Sequence, residues 1–398
     1  MMRGRLGAPF SFMRTFFLFL LAPVAALAQQ QVVRPPIAQY WMSVETSAGM
    51  SMPGMGSVLG AVMGAPAQGG RRMHLQLGSQ QMASGAPRAE HAIPSGMNMG
   101  PSLPLITPQR PKAERGERAD GMPGQMEKPK GRMLIYWGCG ENVRPGQPVV
   151  IDFAKVAEGQ TPPNMVSRRV NVPASPAPGR HKTYGDWPNP EDSKNVPDNA
   201  SLRGEHNVRG NYSPDIRFSL GEAHDFMPRV DLKSSGSRLN WNAIPHATGY
   251  FAMLYGGQGQ DEVVFWSSSE VQEMGGTLMD YVPPAEVARL VKEKVVLPSG
   301  TTDCTVPGEV VQRAGGTPFI NFIAYGPEAN FVHPPRPSDP KVPWEQQWVA
   351  KARFKSTASL ILGQQEASPR ERAEQTEKPA ADNPVEQGIK ALRGIFGR

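Results

Sequence analysis

The sequence predicts a mainly β protein: an N-terminal β region and a β-sandwich, with long disordered Gly/Pro/Met-rich insertions between the strands. Three observations predict it. Glycine and proline number 42 and 41 in 398 residues, a content that suits frequent turns and breaks rather than long helices. Short apolar runs with β-branched and aromatic residues at period two recur along the chain. One internal stretch alone, residues 283–292, has helical spacing, with proline at its start and apolar residues at Val287, Leu290 and Val291.

Residues 1–28 read as a signal peptide. Arg3, Arg5 and Arg14 precede the apolar run 16–22, and Ala26-Leu27-Ala28 supplies a small-residue exit. The run is shorter than the ~20 residues a spanning helix needs, and no later stretch is apolar enough to span a membrane. The expected location is therefore periplasmic or secreted. The formal charge of +6 falls to +3 when the three leader arginines are removed. So small an excess argues against nucleic acid as a partner, since such binding depends on clustered cations.

Residues 29–78 hold two strand-like runs, 40–44 and 72–77, on either side of a Met/Gly-rich loop at 48–70. Within the loop, "GMSMPGMGSVLGAVMG" (residues 49–64) carries four methionines and no charge. Met50, Met52 and Met55 have the short spacings in which soft thioether sulfurs can hold Cu(I). The spacing becomes irregular after Met55, and glycine, alanine and valine fill the gaps. An adaptable apolar segment is the simpler account, with copper binding as the alternative and no cofactor otherwise expected.

Residues 79–131 read as a low-complexity linker, rich in Pro, Gly, Gln and charge. Residues 132–224 read as a β region with long loops: strands at 133–137 and 149–153 around a Pro-Gly turn, a further strand at 215–220, and an unstructured stretch over 157–211. The tail, 356–398, is polar and repetitive, with a possible short amphipathic helix at 384–397. There Asn383 can cap, Pro384 suits the first position, and Val385, Ile389, Leu392 and Phe396 form one stripe. Such a helix suits an anionic membrane surface or a groove on an envelope protein.

Catalytic patterns are scarce. "GMSMPG" puts Pro53 where a nucleophile elbow needs glycine, and no H-E-x-x-H helix exists. His206, His224 and His246 have no metal-ligand spacing and read as surface or capping residues. Glu222 and Asp225 around His224 make a weak acid–base arrangement. Two cysteines, Cys139 and Cys304, would meet oxidising conditions after export, so one disulfide is expected, with two buried thiols as the alternative.

The most specific local pattern is "RLNWNAIPHATGYFAML", residues 238–254. Leu239 and Trp241 share one strand face, Pro245 and Gly249 bound a turn, and Tyr250 opens the next strand. It resembles the B–C hairpin of fibronectin type III-like domains at Trp241, Pro245, Ala247 and Tyr250. "FINFIAYGPE" (residues 319–328) is similar to the family's F strand. The resemblance covers about residues 225–335 and implies a β-sandwich over 225–355, departing from the family by a helix at 284–293 and the loop carrying Cys304. It implies that Trp241 and Tyr250 are core residues and that the module binds or spaces rather than catalyses. "YWGCGE" with "GQPVVIDF" is similar to uncharacterised exported proteins of proteobacteria.

The expected function is a non-catalytic cell-envelope interaction or scaffold protein. The mature chain should begin at Gln29, and intact mass of the protein recovered from the cell envelope fraction checks this directly: a species retaining residues 1–28 would contradict it.

Overall fold

The computed structural model describes residues 31–48, 69–108, 131–161, 163, 168–258 and 261–363. The leader (1–28), the methionine strip (49–64) and the tail beyond residue 363, with its proposed helix (384–397), lie outside the described residues; residues 356–361, expected as the start of the tail, are instead strand, because Ala358, Leu360 and Ile361 are buried.

The described chain is mainly β. In order, the strands are β1 (Val33–Arg34), β2 (Ala38–Ala48), β3 (Gly70–Ser79), β4 (Ala89–Ala92), β5 (Ser102–Leu105), β6 (Arg132–Trp137) and β7 (Val149–Asp152). There follow β8 (Thr183–Trp187), β9 (Gly204–Gly210), β10 (Ser213–Leu220), β11 (Lys233–Ser235), β12 (Arg238–Asn240) and β13 (Gly249–Gln258). The last are β14 (Glu262–Ser267), β15 (Leu297–Pro298), β16 (Asp303–Thr305), β17 (Phe319–His333), β18 (Trp344–Glu345) and β19 (Trp348–Ile361).

Ten of these form one sheet in the order β7-β6-β14-β13-β17-β19-β2-β3-β8, with β15 added beside β13. Two joins are parallel, β14 with β6 and β19 with β2, and the rest are antiparallel. The N-terminal region and the expected sandwich are therefore not separate sheets. β19 pairs with β2 over eleven positions, from Trp348 opposite Ala38 to Ala358 opposite Ala48.

Alternation along the strands decides what covers each face. One face carries Tyr40, Met42, Val44, Leu75, Tyr250, Phe322 and Phe354, all buried. A four-stranded antiparallel sheet, β10-β9-β4-β5, and a three-stranded one, β11-β12-β16, lie over it. On the other face, Met133, Ile135, Phe251, Met253, Phe265 and Ile323 pack under Leu278, Val287, Leu290 and Val295. Val287 and Leu290 come from the helix Pro284–Lys292, which begins on proline and buries its apolar stripe as the spacing predicted.

Several expectations are corrected. Residues 89–92 and 102–105 inside the expected linker are strands, and Thr183–Trp187 and Gly204–Gly210 lie within the stretch read as unstructured. The reason is burial: Met97, Met99, Leu103, Leu105 and Leu202 enter the core, while the intervening glycines and prolines make turns. Gly185 sits where β8 meets the second sheet, and a Cβ there would lie 2.7 Å from the Leu105 carbonyl oxygen. Residues 238–254 do not close a hairpin. β12 belongs to the three-stranded sheet and β13 to the large one, so Ile244–Thr248 carries the chain from one layer to the other. Cys304 stands in a strand, not a loop. Residues 226–232, whose apolar residues from Phe226 to Leu232 read as a strand in the sequence, form none, although Phe226, Met227 and Val230 are buried.

Trp241 is 5% exposed and Tyr250 fully buried between these layers. Their rings meet edge-on at 5.6 Å, and Trp241 lies 4.7 Å from Phe322. The Tyr250 hydroxyl accepts the Ile244 N–H at 3.2 Å, fixing the crossover. Cys139, just past β6, is bonded to Cys304 in β16 with a sequence separation of 165. Beside the bridge the Gly140 N–H donates to the Thr305 carbonyl at 2.8 Å. Reduction should lower the urea midpoint, by the equivalent of up to about 5 kcal/mol if loop-closure entropy dominates. An unchanged midpoint after verified reduction would show that the covering sheet is held by packing alone.

Candidate functional site

The helix and its neighbours clothe the second face of the large sheet over β6, β14, β13 and the first half of β17. Over β19, β2 and β3 the same face is polar. Register puts Lys351 opposite Trp41, Arg353 opposite Ser43, and Lys355 opposite Glu45. Behind these stand Gln76, His74 and Arg72 on β3. A strand whose inward residues are Ala350, Ala352 and Phe354 must show Lys351, Arg353 and Lys355 on its other side.

These cations are held against two aromatic rings. The Arg353 guanidinium lies 4.8 Å from the Trp41 ring centre and 4.4 Å from that of Tyr281. Lys351 lies over Trp41 and Lys355 over Tyr281, at 5.3 and 4.6 Å. The two lysines are also paired with carboxylates. Lys351 binds Glu328, both largely buried, and Lys355 stands 3.7 Å from Glu45 and 3.8 Å from Asp280. Glu45 in turn accepts the Thr357 hydroxyl at 2.7 Å.

Arg353 differs. Its Nε donates to the Ser43 hydroxyl oxygen at 2.7 Å, and no carboxylate among the described residues lies within ion-pair distance of it. Burial works against its charge and lowers its pKa, while Tyr281, Asp280 and Glu328 act in the opposite sense. A guanidinium stays protonated regardless. It lines a shallow crevice with room for about one water molecule, whose walls include Val172, Pro173, Pro283 and Pro327.

Two features build those walls. β17 breaks register between Tyr325 and Glu328. A Cβ at Gly326 would lie 2.6 Å from the Phe354 carbonyl oxygen, so glycine permits the bulge that lifts Pro327 and Glu328 to the rim. The segment 168–182 crosses the face as a strap. The Asn171 N–H donates to Glu286 at 2.9 Å, and Gln76 donates to the Pro176 carbonyl at 2.9 Å. Between these fixings lie Val172 and Pro173.

A second polar group lies deep between the layers. The Tyr40 hydroxyl is 2.8 Å from His91 Nδ1, His91 Nε2 is 3.0 Å from His206 Nδ1, and His206 Nε2 is 2.8 Å from the Leu202 carbonyl. All three side chains are buried. The carbonyl can only accept, which fixes every proton in the row. His206 donates from Nε2 and accepts at Nδ1, His91 donates from Nε2 and accepts at Nδ1, and Tyr40 donates its hydroxyl. Phe218 stacks on His206 at 4.9 Å and 2°. The row stitches the large sheet to the four-stranded one.

His206 is thus neither a surface nor a capping residue, because β9 turns it inward onto His91 of β4. His224 and Glu222 occupy a short 3-10 turn, but Asp225 is committed elsewhere. It accepts from the Ser201 hydroxyl at 2.7 Å, the Leu202 N–H at 2.8 Å and Arg203 at 3.1 Å. Burial pushes its pKa up, and these donors outweigh it and leave the carboxyl below its ordinary value. The three do not assemble for acid–base chemistry. Met50, Met52 and Met55 lie outside the described residues, between the paired strands β2 and β3.

The Trp41–Tyr281–Arg353 group was not singled out from the sequence. The available signal was "KARFK", where charge alternates with apolar residues inside a strand. Compared with known proteins, the chain matches no family model, no curated protein and no solved structure.

The histidine row makes stability depend on pH. Burial lowers the pKa of His91 well below 6.5, with the neighbouring His206 adding to the effect, and burial likewise lowers that of His206. His181 and His224 shift the same way, also chiefly through burial. Below about pH 6.5 the unfolded chain takes up protons that the folded one refuses. Stability should therefore be insensitive to these groups above that pH and fall as the pH drops toward their folded values. Each such histidine adds a slope of at most about 1.4 kcal/mol per pH unit. Urea unfolding at pH 7.5, 6.5 and 5.5 checks this, and His91→Gln with His206→Gln should flatten the slope.

Proposed function

We propose that this is an exported, non-catalytic cell-envelope protein that docks on another envelope component through the polar end of one face of its large sheet. The observation that carries the reading is the polar end of that face, where Arg353 of β19 stands between the Trp41 and Tyr281 rings and Arg72 and His74 of β3 are exposed beside them. Tyrosine and arginine are among the residues that most often dominate binding energy at protein interfaces, and the nearly buried Trp41 beneath Arg353 leaves the guanidinium little entropy to lose on binding. Export is supported by the leader-like residues 1–28 and by a disulfide between Cys139 and Cys304. Among the described residues no helix is long and apolar enough to cross a membrane. The fibronectin III-like reading of the second half is supported by its strand sets: three strands, β11-β12-β16, facing four, β14-β13-β17-β19, with Trp241 between them. In this reading that module is the scaffold that stiffens the docking face.

A photo-crosslinking residue placed at the exposed His74, in the full chain in its own cell envelope, tests the proposal. One recurrent crosslinked envelope component is expected, absent when the probe sits instead at Val150, which is exposed on β7. Equal labelling from both positions, or none from His74, would overturn it.

A further inference from the structure

We infer that the two-stranded ribbon β1–β18 is a contact site for an anionic bilayer surface. The inference shares with the docking reading only the leader-like residues 1–28. It starts from where apolar side chains are left in water. Six large apolar side chains are exposed among the described residues, and three of them, Val32, Val33 and Val342, are 57%, 50% and 46% exposed in this ribbon and the turn before β18. Val33 is registered with Trp344 in β18, and the Trp344 N–H donates to the Val32 carbonyl at 2.8 Å. The Gln31 side chain donates to the Val342 carbonyl, also at 2.8 Å. Successive strand residues point to opposite sides, so two exposed valines in a row mean that neither side of β1 is packed onto the body. A single exposed valine is ordinary, whereas a group of them on one ribbon marks a contact surface.

The ribbon holds its shape without a partner. The Gln31 side-chain oxygen accepts from Arg336 Nε at 2.7 Å, and the Arg336 guanidinium lies 5.6 Å from the centre of the Trp344 ring. The Trp344 indole N–H donates to the Pro334 carbonyl at 3.0 Å. Residues 334–343 include five prolines, each with its φ already fixed, so little backbone freedom is lost on contact. Two observations choose a bilayer as the occupant. The first is the chain that joins here: the apolar run 16–22 lies nine residues before Gln31, about 30 Å at full extension. A leader seated in a membrane therefore delivers this ribbon to the membrane surface. The second is charge. Arg34, Arg336 and Lys341 are exposed around the valines, against Asp339 and Glu345. The Asp339 carboxylate is also turned back on its own loop, accepting the Lys341 N–H at 2.9 Å. Valines and an indole among cations match the headgroup boundary, where apolar side chains meet acyl chains and Lys and Arg meet anionic lipid. The excess is one positive charge, so apolar contact carries the binding and charge sets the lipid preference.

The test uses the mature chain, residues 29–398, and flotation with two kinds of vesicle: phosphatidylcholine alone, and an equal mixture of phosphatidylcholine and phosphatidylglycerol. Saturable binding to the mixed vesicles is expected, weaker by roughly threefold on phosphatidylcholine alone. Changing Val32, Val33 and Val342 together to serine should weaken binding by roughly tenfold. Arg34→Gln with Lys341→Gln should remove the preference for the mixed vesicles. Val150→Ser, at an exposed valine on β7, should change nothing. Thermal melts confirm that each variant is folded. Failure to bind either vesicle would overturn the inference. So would full binding by the folded triple-valine variant, which would place the contact elsewhere, the segment 384–397 included. A lipid-free dimer that the triple variant abolishes would overturn it too, because a second copy would then cover the ribbon. Crosslinking from His74 that persists without vesicle binding would sink this inference alone. Vesicle binding without any crosslinked partner would instead sink the docking reading.

Discussion

The pairing of β19 with β2 is the constraint on which the rest of the molecule depends. β19 lies antiparallel to β17 on one side and parallel to β2 on the other, so a single strand joins the half of the sheet built from the N-terminal region to the half built from the later residues. Its inward alanines, Ala350 and Ala352, leave space for the second layer to approach. Its outward residues are the three cations of the candidate site. Ser43 and Arg353, 310 residues apart in sequence, share a hydrogen bond only because this register holds. A slip of one residue would turn Lys351, Arg353 and Lys355 into the core and the alanines out to solvent.

The two buried joins between layers solve the same problem with different chemistry. Near the three-stranded sheet a covalent bridge and an aromatic cluster fix the spacing. Near the four-stranded sheet a row of neutral hydrogen-bonded side chains does so. A polar row is acceptable in a core only when every donor finds an acceptor. Here the orientation of each proton follows from one backbone carbonyl at its end. It gives directional registration between sheets that apolar packing alone would leave loose, and it carries the cost that an added proton has no acceptor to meet.

Strand positions with clean alternation, such as those around Arg72, Met133, Asp215 and Phe319, were legible because period two with one apolar face is a local property. The helix Pro284–Lys292 was legible for the equivalent reason at its own period. The disulfide followed from counting two cysteines and asking about compartment. What the sequence did not reveal was non-local. Short strands such as Ala89–Ala92 carry too few residues for a period to register, and their glycine- and proline-rich surroundings resemble disorder until a neighbouring layer buries Met97 and Leu103. His91 and His206 are 115 positions apart, so no spacing rule links them. The candidate site was hidden likewise. Trp41, Tyr281 and Arg353 come from three distant segments, and each alone reads as an ordinary strand or loop residue.

The parallel join also says something about time. β2 can fold back on β3 early, since both come from the first 79 residues, but its other edge offers eleven positions of unmet backbone donors and acceptors until β19 follows. A chain emerging from its N-terminus, from a ribosome or from a pore, must release residues 348–361 before that edge is covered. Contacts so remote in sequence form late and slowly, and an uncovered apolar edge is what stray chains add to. The last strand to leave is therefore the one that makes the first strand safe. Until residues 348–361 are in place, β2 keeps one edge at which a wrong strand can add.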